Sequence, residues 1–191
     1  MKTKIKEILE KLENKRVGLF IDNANWFYPQ RELGWDIDFK KLTVLLKKYF
    51  KIKILNLYAG TPLDFKDQKR FQKFADKLKK TGIEVITKKL KKIWLDRKYK
   101  KFIYKCNFDV EIALDVARSI NNIDLLIIGS GDSDFIAVKK YCLENKKKFL
   151  ALCFSRGVSW EIRQGYHIFL DEIKDKIQEI KTPPKRGDNN K

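Results

Sequence analysis

Apolar and polar positions along the chain follow two periods. Residues 16–22, RVGLFID, form a compact apolar run ending in aspartate, as expected of a strand buried on both faces. Similar runs recur at 52–59 (IKILNLYA), 83–87 (IEVIT), 124–129 (DLLIIG), 148–154 (KFLALCF) and 167–170. Gly60-Thr61-Pro62 breaks the second of them. Between the runs lie stretches of helical period. Residues 2–14 place Ile5, Ile8, Leu9 and Leu12 together, and residues 64–80 place Phe71, Phe74 and Leu78 on one face. Residues 38–50, with Asp36 or Asp38 near the start, 108–120, 132–145 and 171–180 complete the set. Uniformly apolar strands alternating with helices predict an α/β domain, its mainly parallel sheet flanked by helices.

Residues 88–105, KKLKKIWLDRKYKKFIYK, break this rhythm by alternating basic and apolar side chains. They predict a protruding β-hairpin or a long loop with strand character. Trp94, Tyr99, Phe102 and Tyr104 are interleaved with Lys91, Lys92, Arg97, Lys98 and Lys105. Such a segment can follow phosphates and stack on unpaired bases, or it can turn its aromatics toward the core. The ends divide off as an amphipathic helix over 1–15, which docks on the domain or on a partner chain, and a disordered basic tail over 182–191. The remaining span, 16–181, is the domain proper.

Charge sharpens the picture. Among 191 residues, 43 are Lys or Arg and 25 are Asp or Glu, for a net charge of +18. Such a field attracts polyanions, with nucleic acid first among them, although a lysine-rich composition that only keeps the chain soluble gives the same balance. No apolar run approaches the roughly 20 residues that span a bilayer, and the first residues lack the apolar centre of a signal peptide. A cytoplasmic setting follows. Cys106, Cys142 and Cys153 are too far apart for a zinc site, and His167 is the only histidine.

Against this basic background, acids gather where buried strands end. Asp22 closes the first run, Asp132 and Asp134 follow Leu126-Ile127-Ile128-Gly129-Ser130-Gly131, and Asp109 begins the helix between them. Ligands of open parallel sheets bind outside the carboxyl ends of the strands. Mg²⁺ takes oxygen ligands and keeps several waters, so two or three carboxylates from separate elements suit it. Each acid also has an ordinary structural use. Asp132 or Ser130 can cap a helix, Asp22 can anchor a turn with Asn23 or Asn25, and Asp109 can favour a helix start. Glu111 and Asp115 share a helix face expected to be solvated, with Asp115 near Arg118 and a lesser candidate for support. His167 reads as structural.

At these residues the sequence resembles the NYN domain, the LabA-like branch of the PIN-like nuclease superfamily. Phe20-Ile21-Asp22-Asn23-Ala24-Asn25 resembles its opening motif, and Lys105-Cys106-Asn107-Phe108-Asp109-Val110, continuing to Asp115, its middle block. Leu126-Ile127-Ile128-Gly129-Ser130-Gly131-Asp132-Ser133-Asp134-Phe135 resembles its most diagnostic stretch, and Ser159-Trp160-Glu161-Ile162 its closing block. Asn23-Ala24 and His167 depart from the usual residues, the last standing where the family often has Asp. The resemblance implies a three-layer Rossmann-like PIN fold and a metal-dependent endoribonuclease. It assigns Asp22, Asp109 and Asp132 to Mg²⁺ or Mn²⁺, with Asp134 beside them. Asn25 would position Asp22 or a phosphate, and Lys105, Ser130 and Ser133 would lie near the site.

The expected activity is metal-assisted hydrolysis of RNA phosphodiesters, with Lys91, Lys92 and Lys98 guiding single-stranded RNA. Three other readings stay open: a non-catalytic RNA-binding regulatory module, a phosphatase or DNA nuclease with a similar acidic edge, and a homo-oligomer assembled through residues 2–14.

Overall fold

Six of the apolar runs become the strands of one sheet in the computed structural model, which describes residues 3–96 and 98–180. The strands are β1 (Arg16–Asp22), β2 (Lys51–Thr61), β3 (Glu84–Lys89), β6 (Leu125–Gly129), β7 (Lys148–Cys153) and β8 (Tyr166–Phe169). Their order is β3-β2-β1-β6-β7-β8, and every neighbouring pair is parallel. Two further strands, β4 (Lys91–Asp96) and β5 (Lys101–Lys105), form a separate antiparallel hairpin. Arg97 and the tail at 182–191 lie outside the described residues.

The sheet is covered on both sides because its central strands are apolar on both faces. Val17, Leu19 and Ile21 of β1 face one layer, and Phe20 faces the other. Leu125 and Ile127 of β6 likewise oppose Leu126 and Ile128. This is the two-residue period of a pleated strand. The first layer is filled from α1 (Thr3–Lys11), α2 (Asn23–Leu33), α3 (Phe39–Lys47), α4 (Phe65–Lys79) and, near the C-terminus, α8 (Lys174–Ile177). The second is filled from α5 (Asp109–Ser119), α6 (Ile136–Glu144) and α7 (Trp160–Arg163). Each fully buried aliphatic or aromatic side chain contributes about 1.5–3 kcal/mol. Ile5, Leu9 and Leu12 are buried in the first layer, so α1 docks on its own domain.

Three expectations are corrected. Residues 23–33, to which the hydrophobic period assigns no element, form α2, which contains Pro29 and ends at Gly34 in the left-handed region. Strand β2 continues through Gly60 and Thr61, where the break was expected, because β3 pairs with both. The helix expected over 171–180 shrinks to a 3₁₀ turn (Leu170–Ile173) and the single turn α8, since Gln178 forms an antiparallel bridge to Ile37. The expected helix 132–145 starts with a 3₁₀ turn (Ser133–Phe135) that leads into α6. No described helix is long and apolar enough to cross a membrane.

Strand order reverses direction between β1 and β6. Connections from β1 run outward to β2 and β3, and those from β6 run outward to β7 and β8. A crevice opens at such a switch point, on the carboxyl side of the strands. Gly129 keeps the two strands close there: a Cβ on it would lie 2.9 Å from Ile21 Cα and 3.0 Å from the Trp26 ring.

Candidate metal and nucleic-acid site

Asp22 is the last residue of β1 and caps α2. Its Oδ1 accepts from the Ala24 N–H at 3.0 Å and its Oδ2 from Asn25 Nδ2 at 2.7 Å. It is only 8% exposed. Burial pushes its pKa up, the bonds from Asn25 and Ala24 pull it down, and the negative charges of Asp109 and Asp132 push it up further. Trp26, one residue past Asn25, anchors this turn by donating its indole N–H to Leu152 O at 3.2 Å.

The loop after β6 supplies the facing acids. Asp132 Oδ1 accepts from the Asp134 N–H at 3.1 Å and so caps the 3₁₀ turn. Ser133 Oγ reaches the same oxygen at 3.5 Å. Ser130 is fully buried and its Oγ accepts from the Asp132 N–H at 3.1 Å. The expected place of Ser130 near substrate is therefore corrected: it shapes the loop from beneath. Asp132 is half-buried, and Ser133 and Asp134 are exposed. A Cβ on Gly131 would lie 3.0 Å from Val158 Cα, so this loop packs tightly on the segment before α7. The Ser159 N–H donates to Gly131 O at 2.8 Å, while the Ser159 hydroxyl is buried without a partner.

Asp109 opens α5, and its N–H donates to Asn107 Oδ1 at 2.7 Å. Burial raises its pKa, the hydrogen bond with Asn107 lowers it, Asp134 and Asp132 raise it, and the charge of Lys105 lowers it. Asp22 thus feels the charges of Asp109 and Asp132, and Asp109 those of Asp134, Asp132 and Lys105. Cys106, between the hairpin and α5, senses both sides: burial raises its thiol, Lys88 and Lys91 lower it, and Glu111 and Asp22 raise it.

None of these four acids forms an ion pair among the described residues. The opposite edge of the sheet behaves differently. There Asp124 takes a two-pronged contact from Arg16, at 2.9 and 2.8 Å, which holds its carboxyl far below the usual range. Glu111 is paired with Lys88, and Asp115 accepts from Tyr58 Oη at 2.8 Å and Arg118 at 3.1 Å. Glu111 and Asp115 are thus half-buried and paired rather than simply solvated, while the expected neighbour Arg118 does pair with Asp115.

The donors at the switch point are hard carboxylate oxygens, the chemistry Mg²⁺ or Mn²⁺ prefers. Among the described residues, no three acidic, histidine or cysteine side chains stand together as a ready-made cage. Mg²⁺ usually keeps several waters and binds through one or two carboxylates plus a phosphate, so an open, half-wet set of acids fits it. A shallow cleft of about 290 Å³ begins at this edge, where Ala24, Asn25 and Gly131 meet Tyr28, Phe154 and Arg156.

Sequence reasoning overlooked several of these residues. Asn107, two positions before Asp109, carries a readable turn signal. Tyr28 and Arg156 come to the cleft only through packing that spacing does not reveal. Lys91 is at the root of the hairpin, whereas Lys92 and Lys98 lie over aromatic rings farther along it.

A six-stranded parallel sheet in three layers, with acids at its switch point, defines an α/β domain of PIN-like architecture. The chain belongs to the NYN domain family, whose signature covers residues 16–171. It is 28% identical over 171 residues to the low amplitude and bright protein LabA of Synechococcus elongatus, covering 88% of this chain and 90% of that protein. Its fold is similar to the crystal structure of a Vibrio parahaemolyticus protein of unknown function, with a TM-score of 0.69. That likeness covers 87% of this chain and 98% of the other at 22% identity.

Proposed function

We propose that the chain is a metal-dependent endoribonuclease that hydrolyses phosphodiester bonds of single-stranded RNA in the cytoplasm. Asp22, Asp109 and Asp132 would hold Mg²⁺ or Mn²⁺, and Asp134 would orient the attacking water. The observation that carries this reading is the contrast in neutralisation: in a chain of net charge +18, Asp22, Asp109, Asp132 and Asp134 form no salt bridge among the described residues, at the edge where such folds bind ligands. Membership of a family of PIN-like, nuclease-type domains supports it.

A bound divalent ion would lower the pKa of a water and neutralise charge gathering on phosphorus. The protein's own part is positional. Ala24 and Asn25 hold the Asp22 carboxylate in one orientation. Ser130, from beneath, fixes the turn that presents Asp132. Lys105 and Ser133 flank the acids, and Lys91, Lys92 and Lys98 carry the RNA toward them. Water attacks phosphorus in line with the leaving ribose oxygen, which departs with a proton.

Cleavage of a labelled single-stranded RNA, with and without Mn²⁺ and with Asp22→Asn or Asp132→Asn, tests this. Loss of cutting by more than about 100-fold with RNA binding intact is expected, beyond what losing a supporting residue costs. Equal cutting by wild type and both variants would overturn it. RNA binding without cutting by the wild type would favour a regulatory module, and preference for duplex DNA or a phosphomonoester would reassign the substrate. Mn²⁺ titration followed by electron paramagnetic resonance reads metal binding independently of activity.

A further inference from the structure

The hairpin of β4 and β5 contributes no residue to either core layer, and its strands pair only with each other. A lone two-stranded hairpin is marginal in water. This one nevertheless displays large apolar side chains, with Trp94, Phe102 and Tyr104 each at least 40% exposed. The expectation that these aromatics might serve the core is thereby excluded.

Register sorts the hairpin into two faces. Lys92 stands opposite Tyr104 and Trp94 opposite Phe102, so these four share one face, while Ile93 and Ile103 share the other. The rings meet edge to face, Trp94 with Phe102 at 5.5 Å and Phe102 with Tyr104 at 5.4 Å. Lys92 Nζ lies 4.3 Å over the Trp94 ring and 3.9 Å over that of Phe102. The result is a continuous aromatic surface with a positive charge seated on it.

The hairpin also springs from the acid edge. The Leu90 N–H donates to Thr61 O, at the carboxyl end of β2, at 3.0 Å. Leu90 and Cys106, one at each root, pack on Gly60, where a Cβ would come within 2.4 Å of Leu90 Cδ2. Strand β5 ends at Lys105, four residues before Asp109.

We infer that the Lys92–Trp94–Phe102–Tyr104 face is a stacking platform for the unpaired bases of an RNA strand, and that it imposes single-strandedness on the substrate. This rests on the reading of the chain as an RNA-cutting domain. Every unpaired base offers a π-face to an aromatic surface, whereas a duplex hides its base faces inside the stack. Phosphates of the same strand meet Lys92 on that face and Lys98, which lies over the Tyr99 ring, while Lys91, Lys101 and Lys105 share the other face with Ile93 and Ile103 and keep the whole hairpin positive. The one acid of the hairpin, Asp96, is engaged in closing its turn, accepting from the Tyr99 N–H at 3.0 Å. A second copy of this chain is a poorer occupant, because the face would meet its own lysines.

The test is fluorescence anisotropy with a labelled single-stranded oligo(U) and a duplex RNA of equal length, in the cleavage-silenced Asp132→Asn background. Trp94→Ala/Phe102→Ala should weaken single-strand binding by about 10- to 100-fold with an unchanged salt slope. Trp94→Phe/Phe102→Tyr should restore it. In the active chain the alanine pair should raise KM and leave kcat at saturating RNA unchanged. Unaltered affinity in the alanine pair, equal binding of duplex, or a fall in sedimenting mass without loss of RNA affinity would overturn the platform. Single-strand binding lost in the alanine pair, but with no metal-dependent cutting by the parent, would keep the platform and sink the nuclease.

Discussion

Trp26 and Trp94 each follow the carboxyl end of a parallel strand, and they could hardly be placed more differently. Trp26 is fully buried between α2 and the sheet, stacked on Phe39 at 6.1 Å, with its N–H bonded to Leu152 O. Trp94 is 43% exposed and its ring meets Phe102 and Lys92 of its own hairpin face. One tryptophan fixes the turn that presents Asp22; the other fixes nothing in the core. The Asp22 corner of the acid edge is thus held by deeply buried side chains, whereas the hairpin is exposed along most of its length. Groups that must share an ion need positions set by a rigid scaffold, whereas a surface that receives a flexible strand needs only area and charge.

The contrast can be broken at several points. Trp26→Ala should have the largest effect on stability, about 3–5 kcal/mol, read as a lowered denaturation midpoint. Gly129→Ala should follow at about 1–3 kcal/mol, because its new Cβ meets the Ile21 backbone at 2.9 Å. It should also depress Mn²⁺ affinity by spreading β1 from β6. Tyr58→Phe should cost about 1–2 kcal/mol, because Asp115 loses a 2.8 Å hydrogen bond in a part-buried setting. Trp94→Ala should change the midpoint by no more than about 0.5 kcal/mol. A large loss there would mean that the hairpin supports the fold after all.

The acid edge should also show its charge in the pH dependence. Asp22 and Asp109 both have pKa values raised above 3.8, first by burial, against the hydrogen bonds from their asparagine neighbours, and further by nearby acids. Stability from these two groups is therefore full below the unfolded value and lost as pH rises through their folded values. Without metal, wild type should lose stability relative to Asp22→Asn/Asp109→Asn as pH rises above the ordinary carboxylate range. Saturating Mn²⁺, which favours the ionised acids, should shrink that difference. Parallel curves for the two proteins would remove the coupling between these carboxylates.

Much of this was legible in the sequence because burial on two faces leaves a plain trace. The runs at Arg16–Asp22 and Leu125–Gly129 are buried at all but the first position of the first, and Asp22 ends the one while Asp132 stands just past the other. The helix α2 left no such trace. Only Trp26 and Gln30 are buried along it, Phe27, Tyr28 and Leu33 face solvent, and Pro29 sits inside. Gln30 is held there by tertiary contacts, donating to Trp26 O at 2.9 Å and accepting from the Ile37 N–H at 2.6 Å. The helical reading of 171–180 failed for a related reason: Gln178 is drawn into a bridge with Ile37, which outweighs local preference. The pairing of Asp115 with Tyr58 escaped notice because it joins positions 57 residues apart.

Gly60 carries a consequence for how such a domain changes over time. Both roots of the hairpin close on that one small residue, and nothing between them is shared with the layers that hold the sheet together. The span 91–105 is therefore an exchangeable cassette. It can be shortened, lengthened or traded for another antenna at little risk to the scaffold, because the acid edge does not depend on its length.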